Sequence, residues 1–260
     1  MSPLRVTSVP TRSSGGQTLT LPLWKRAIDI VFCCAAIPLL AVATFFVAVL
    51  MSVASPGPIF FRQERVGFMG RRFRLYKFRT MHVGADTSGH KAHFAALIAS
   101  NVPMQKLDAK GDLRLIPGGW LIRACGLDEL PQIINVLKGE MSLVGPRPCI
   151  PYEYEKYSTL QRTRFHTAPG LTGLWQVSGK NRTTFDRMIQ LDIQYATERS
   201  LKLDLKIFLM TLPAVLSQVA EMCRLRRMAE APSHSASAGN RACDTIEIKK
   251  KATISPFRVS

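Results

Sequence analysis

The longest apolar stretch of the chain runs from Ile30 to Val53, 24 residues without a formal charge. That length meets the requirement for a membrane segment, and at helical rise it spans about 36 Å, more than one hydrocarbon core. A cleavable leader is the competing reading; against it stand the long stretch before the run and the lack of a small-x-small cleavage site. Lys25 and Arg26 precede the run, and Arg62, Arg65, Arg71, Arg72, Arg74, Lys77 and Arg79 follow it. Basic flanks are retained on the cytoplasmic side, so a single crossing would strand one cluster. A re-entrant hairpin bent at Pro38 removes the conflict, while a crossing helix that tolerates the proline stays open.

Beyond the run, Ser55-Pro56-Gly57-Pro58 is a chain of turn formers. Alternation over Ile59 to Val66 and Phe73 to Met81, with Gly67 and Gly70 between, predicts two strands. Helices are predicted at 91–100, 120–124 and 128–137, the last with Leu130, Ile133, Ile134 and Leu137 on one side. Two more follow at 183–199 and 203–221, the second with Pro213 expected to kink or split it. Residues 1–22 and 223–260 read as flexible tails. The expected fold is thus α+β, mainly helical: a membrane segment at 23–54 carrying one cytosolic catalytic domain at 55–222.

Charge narrows the partners only in part. Lys and Arg number 35 against 18 Asp and Glu, a net charge of +17, which attracts nucleic acid, anionic membrane or phosphate-rich substrates alike. No zinc-finger, helix-turn-helix or aromatic RNA-binding motif accompanies it, so nucleic acid is set aside as a partner. The six cysteines are scattered, without a C-x-x-C pair or a His at metal-ligand spacing, and read as free thiols.

Candidate chemistry gathers at Asp128-Glu129, which opens a helix with Pro131 in its first turn. Acidic residues at a helix start are ordinarily caps favoured by the dipole and the free N–H groups. Here Arg123 precedes the pair and Arg147 sits in the stiff turn Gly145-Pro146-Arg147-Pro148. Guanidinium forks suit phosphate oxygens, and two adjacent carboxylates suit one divalent cation plus one nucleophile.

Read together, several blocks make the chain resemble the bacterial sugar transferases, the polyprenyl-phosphate phosphoglycosyl transferases. They are Lys25-Arg26 with Asp29, Ser55-Pro56-Gly57-Pro58 leading to Phe61-Arg62-Gln63-Glu64-Arg65-Val66-Gly67, and Tyr76-Lys77-Phe78-Arg79-Thr80-Met81. Leu127-Asp128-Glu129-Leu130-Pro131-Gln132, Ser142-Leu143-Val144-Gly145-Pro146-Arg147-Pro148 and Pro169-Gly170-Leu171-Thr172-Gly173-Leu174-Trp175-Gln176 follow in the family's order. Two positions depart from the pattern. The Ser-Pro helix breaker that by spacing falls at Ala41-Val42 is replaced by Pro38 one turn earlier, and the Ser before the Leu-Asp-Glu block is Gly126.

The resemblance implies a monotopic enzyme of the bacterial inner membrane, its catalytic domain in the cytoplasm. It would transfer a hexose-1-phosphate from a UDP-sugar to undecaprenyl phosphate, releasing UMP, at the start of exopolysaccharide or other surface-glycan synthesis. It implies Asp128 as nucleophile, Glu129 as ligand of Mg²⁺, and Arg123, Arg147 and Gln132 as phosphate- or substrate-binding residues. Arg65, Lys77 and Arg79 either hold lipid or nucleotide phosphate or form a basic surface facing anionic lipid. Membrane lipids and other glycan-assembly enzymes are the expected further partners. A non-catalytic membrane-anchored scaffold of the same fold is the alternative, disfavoured by the presence of Asp128, Glu129, Arg123 and Arg147. The helix after Leu201 is expected either in the headgroup plane or in the core, and Trp175 either as a core anchor or at the interface.

Overall fold

In the computed structural model, which describes residues 21–85, 114–179 and 183–230, the apolar run forms one helix, α1 (Leu23–Ala54). Pro38 lies within it and ends nothing. Proline removes one donor from the ladder, and the remaining apolar positions carry the helix through it. The hairpin bend expected at Pro38 is therefore not a break between two helices. Likewise Pro213 sits inside a continuous helix, α8 (Leu201–Glu230).

The predicted strands form β1 (Phe60–Val66) and β2 (Arg72–Phe78), an antiparallel pair in which Phe60 faces Phe78 and Val66 faces Arg72. Then come α2 (Gly119–Ala124), a 3₁₀ turn at Leu127–Gln132 and α3 (Ile133–Leu137). The single helix predicted over 128–137 is thus two pieces. Glu129 N–H donates to Gly126 O at 3.1 Å, an i to i+3 bond, and Pro131 has no N–H with which to convert the turn to an α ladder. β3 (Ser142–Val144) pairs in parallel with β4 (Gly170–Thr172). The crossover between them carries α4 (Pro151–Lys156), α5 (Thr159–Arg162) and a 3₁₀ turn at Thr163–His166. α6 (Leu174–Val177) and α7 (Phe185–Glu198) precede α8. The helix expected at 91–100 lies outside the described residues.

Two compact units divide the chain, Met1–Val219 and Ala220–Ser260, and the core belongs to the first. Phe73 and Leu75 of β2, Ile133 and Val136 of α3, and Leu143 and Val144 of β3 pack with Cys33, Tyr195 and Ile207. Val66, Tyr157, Phe165, Trp175, Phe185 and Met188 form a second cluster, which makes Trp175 a core anchor. A third joins Val47 and Met51 of α1 to Phe78, Ile116 and Ile122.

These clusters place one stripe of α1 on the body along the helix's length. Lys25, Asp29 and Cys33 are buried near its start, Leu40 and Ala43 are partly buried in the middle, and Val47 and Met51 are buried near its end. Successive spacings of three, four or seven keep them on one helical face. The opposite face is bare, with Phe45 and Phe46 63% and 65% exposed. α8 is similarly one-sided: Asp204 and Ile207 are buried while Leu209 and Leu212 are 74% and 66% exposed. Both helices are long and apolar enough to cross a membrane, and Phe32 meets Phe208 edge-on at 4.9 Å.

Candidate active site

The carboxylate pair sits in the 3₁₀ turn because Gly126 takes the left-handed conformation (φ 71°) and turns the chain out of α2. Only glycine adopts that backbone freely, which suits the residue found there. Asp128 is buried and Glu129 is half exposed. Across from them Lys77 of β2 donates to Glu129 Oε1 at 3.0 Å and lies 4.0 Å from Asp128 Oδ2. One ammonium thus bridges both carboxylates.

Asn135 fixes this distance. Its Oδ1 accepts the Tyr76 N–H at 3.1 Å, and its Nδ2 donates to Arg74 O and Glu140 Oε2, each at 2.7 Å. The amide therefore replaces a strand neighbour on β2 and locks that strand to α3, one residue from Lys77 and just after the carboxylate turn. Gln132 is buried at the end of the same turn.

The predicted arginines divide into two groups. Arg65, at the end of β1, is buried; it donates to Gln63 Oε1 at 2.6 Å and to Pro148 O at 3.3 Å. Burial, and then the positive charge of Arg147, push its guanidinium down to about 10, with Glu129 among the charges pulling it up. It remains protonated at neutral pH, and two like charges held this close favour an anion beside them. Arg147 is exposed. Arg123 donates to Thr80 Oγ1 at 3.4 Å, on the segment that continues β2. Arg79 is engaged elsewhere: its guanidinium donates to Pro58 O, Ser55 Oγ and Ser55 O at 2.7, 2.9 and 2.6 Å, tying the end of α1 to β2. Lys77 is thus placed directly at Asp128 and Glu129, while Arg65 is tied to the turn that carries Arg147.

Two buried pairs escaped the sequence reading. Lys25 ion-pairs with Asp204 and donates to Tyr195 Oη at 3.0 Å, and Arg26 donates to Val136 O and Leu137 O at the end of α3. Residues read as a basic membrane flank are thus structural. Arg164 pairs with Asp192, both fully buried. Asp192 did leave a signal: it shares the buried face of α7 with Phe185, Met188, Ile189 and Tyr195, and a carboxylate at that spacing requires a buried cation.

Among the described residues no group of three or more His, Cys, Asp or Glu is placed to hold a metal. Asp128 and Glu129 with Lys77 between them fit a different mode, in which one or two carboxylates and substrate phosphates share Mg²⁺.

Galactosyl transferase CpsE of Streptococcus agalactiae is 47% identical over 161 residues, 62% of this chain and 35% of its own length. Exopolysaccharide production protein ExoY of Sinorhizobium fredii is 35% identical over 193 residues, 74% of this chain and 84% of its own. UDP-glucose:undecaprenyl-phosphate glucose-1-phosphate transferase of Caulobacter vibrioides is 37% identical over 207 residues, 76% of this chain and 72% of its own. The chain accordingly spans about a third of the streptococcal protein and most of the other two. Residues 20–218 match the bacterial sugar transferase model. The chain belongs to the bacterial sugar transferase family.

Proposed function

We propose that the protein transfers a hexose-1-phosphate from a UDP-sugar to undecaprenyl phosphate, releasing UMP, as the initiating step of an exopolysaccharide or related surface glycan. The observation that carries this is the Asp128–Glu129 pair bridged by Lys77, in a domain whose two longest helices present bare apolar faces. Relatives named for transfer from UDP-sugars to a lipid carrier support the substrate classes. Asp128 attacks the sugar-bearing phosphorus; the bond to the UMP oxygen breaks and UMP leaves with the electron pair. A phosphate oxygen of the lipid then attacks the same phosphorus and frees the carboxylate. Lys77, Arg65, Arg123 and Arg147 offset the charge that builds when anions approach one another. Bound Mg²⁺ would supply further charge neutralisation at the diphosphate, held by Glu129. The test is UMP release from a panel of UDP-hexoses with polyprenyl phosphate and Mg²⁺ in membranes. Release requiring the lipid for multiple turnovers is the expected result, and no release with any UDP-hexose would sink the reading.

Replacing Glu129 by Gln keeps size and removes the charge a metal needs. Turnover is expected to fall about 100-fold, the scale of losing one charge-stabilising group, with the thermal transition near that of wild type. Full activity in the folded variant, or activity that survives chelation of Mg²⁺, would refute the metal role.

The protein sits at the inner membrane with α1 re-entrant and residues 55–260 in the cytoplasm. Both ends of α1 pack on the same body, an arrangement a perpendicular crossing would break. Each bare Phe or Leu on α1 and α8 forgoes about 1.5–3 kcal/mol when left in water, so lipid is the natural cover for both faces. Single-cysteine variants at positions 12 and 72 should be labelled from the same side of the membrane; labelling from opposite sides would overturn the arrangement.

A further inference from the structure

Arg147 carries the most exposed guanidinium of the candidate phosphate-binding group, yet its main chain rests on a pair of charges in the interior. Arg164 and Asp192 are 1% and 0% exposed. The Arg164 fork donates to Arg147 O at 2.9 Å, to Tyr157 Oη at 3.3 Å, and ion-pairs with Asp192. Asp192 anchors that fork through the ion pair. The carbonyl of Arg147 is thus held by a guanidinium that a buried carboxylate keeps in place. Neighbouring contacts fix the same turn: Val66 N–H donates to Cys149 O at 2.8 Å, and Arg65 reaches Pro148 O.

Burying two charges is costly, and well-packed apolar residues of similar volume often stabilise a fold as well or better. A pair placed here on stability grounds alone would have no reason to close on the main chain of Arg147. We infer that Arg164 and Asp192 are positioning residues that aim Arg147 at the diphosphate of the nucleotide sugar. The inference rests on the transferase reading for the identity of the ligand. Arg147 needs such support because its side chain is long and solvated, and each rotamer fixed in advance lowers the cost of ordering it around phosphate. Arg65, which donates to Pro148 O in the same turn, sets a second guanidinium beside it.

The experiment is a mutant cycle on the full chain in nanodiscs, with UDP as the probe and calorimetric affinity as the readout. Arg147→Gln is expected to weaken UDP binding about tenfold. Arg164→Met combined with Asp192→Leu, which removes both charges while keeping volume, should weaken it by a similar factor with a cooperative thermal transition retained. Added to Arg147→Gln, the same pair of changes should cost nothing further, because groups acting through one side chain are not additive. If the neutral pair does not fold, Arg164→Lys takes its place; it keeps the charge and cannot donate to Tyr157 and Arg147 as a fork. Unchanged UDP affinity in the folded variants, an additive loss, or no UDP binding by the wild type would overturn the inference. UMP release from UDP-hexose is followed in parallel. A wild type that binds UDP and releases no UMP would sink the transferase reading while the cycle still decides the clamp.

Discussion

Asp128→Asn is expected to abolish turnover, by at least ~1000-fold, the scale on which losing a nucleophile acts. Asparagine is nearly isosteric, so the 3₁₀ turn and its neighbours should persist, and only the nucleophilic charge goes. With UDP-sugar and no lipid acceptor, the wild type should release UMP in an amount limited by enzyme concentration. It should also gain the mass of one hexose phosphate, carried on a peptide containing Asp128. Intact-protein mass spectrometry followed by digestion reads both. An adduct on another peptide, or none under trapping conditions, would favour direct attack by the lipid phosphate.

The second large effect lies away from the chemistry. A Cβ added to Gly170 would stand 2.0 Å from Gly145 N and 2.4 Å from Thr172 O; one added to Gly145 would stand 2.2 Å from Ala168 O. All these atoms are backbone, so no side chain can move aside. This mutual approach of two glycines lets β4 lie against the turn that carries Arg147. Gly170→Ala should destabilise by more than about 4 kcal/mol, in the range reserved for gross steric or packing faults, and leave little folded protein in membranes. Gly126→Ala is the internal control: its φ is 71° and, chain neighbours aside, no atom of the described residues lies within 4 Å of the added Cβ, so backbone strain of about 1–2 kcal/mol is the expected cost. Thermal unfolding in detergent ranks the two. A Gly170→Ala protein as stable as the Gly126→Ala protein would contradict this account of the close approach.

What could be read along the chain was what local patterns encode. Alternation and two glycines marked the β1–β2 hairpin, and apolar spacing marked α7. The carboxylate pair stood out because several blocks around it kept their order. The role of Lys25 and Arg26 was hidden, since a basic residue before an apolar run reads the same whether it faces headgroups or a buried carboxylate 179 residues away. The partners of Arg79 were hidden for a related reason. It shares a side with Lys77 in the two-residue period, but its guanidinium reaches back to Ser55 and Pro58. Asn135 lies on the polar face of the helix predicted over 128–137; its bond to an unpaired strand edge was not legible, because register between β2 and α3 is a tertiary property.

The Lys25–Asp204 pair also sets an order of events during synthesis. Its partners are 179 residues apart, so at bacterial elongation rates of about 5–20 residues per second the lysine waits roughly 9 to 36 s for its carboxylate. Through that interval the first turn of α1 carries an uncompensated ammonium, which holds it at the level of the headgroups while the apolar remainder enters lipid. The last tie at the start of α1 therefore forms only as α8 emerges from the ribosome. A nascent chain cut short before Asp204 keeps the contacts of Arg26 and Asp29 with residues 136–143 and leaves its buried lysine without a carboxylate.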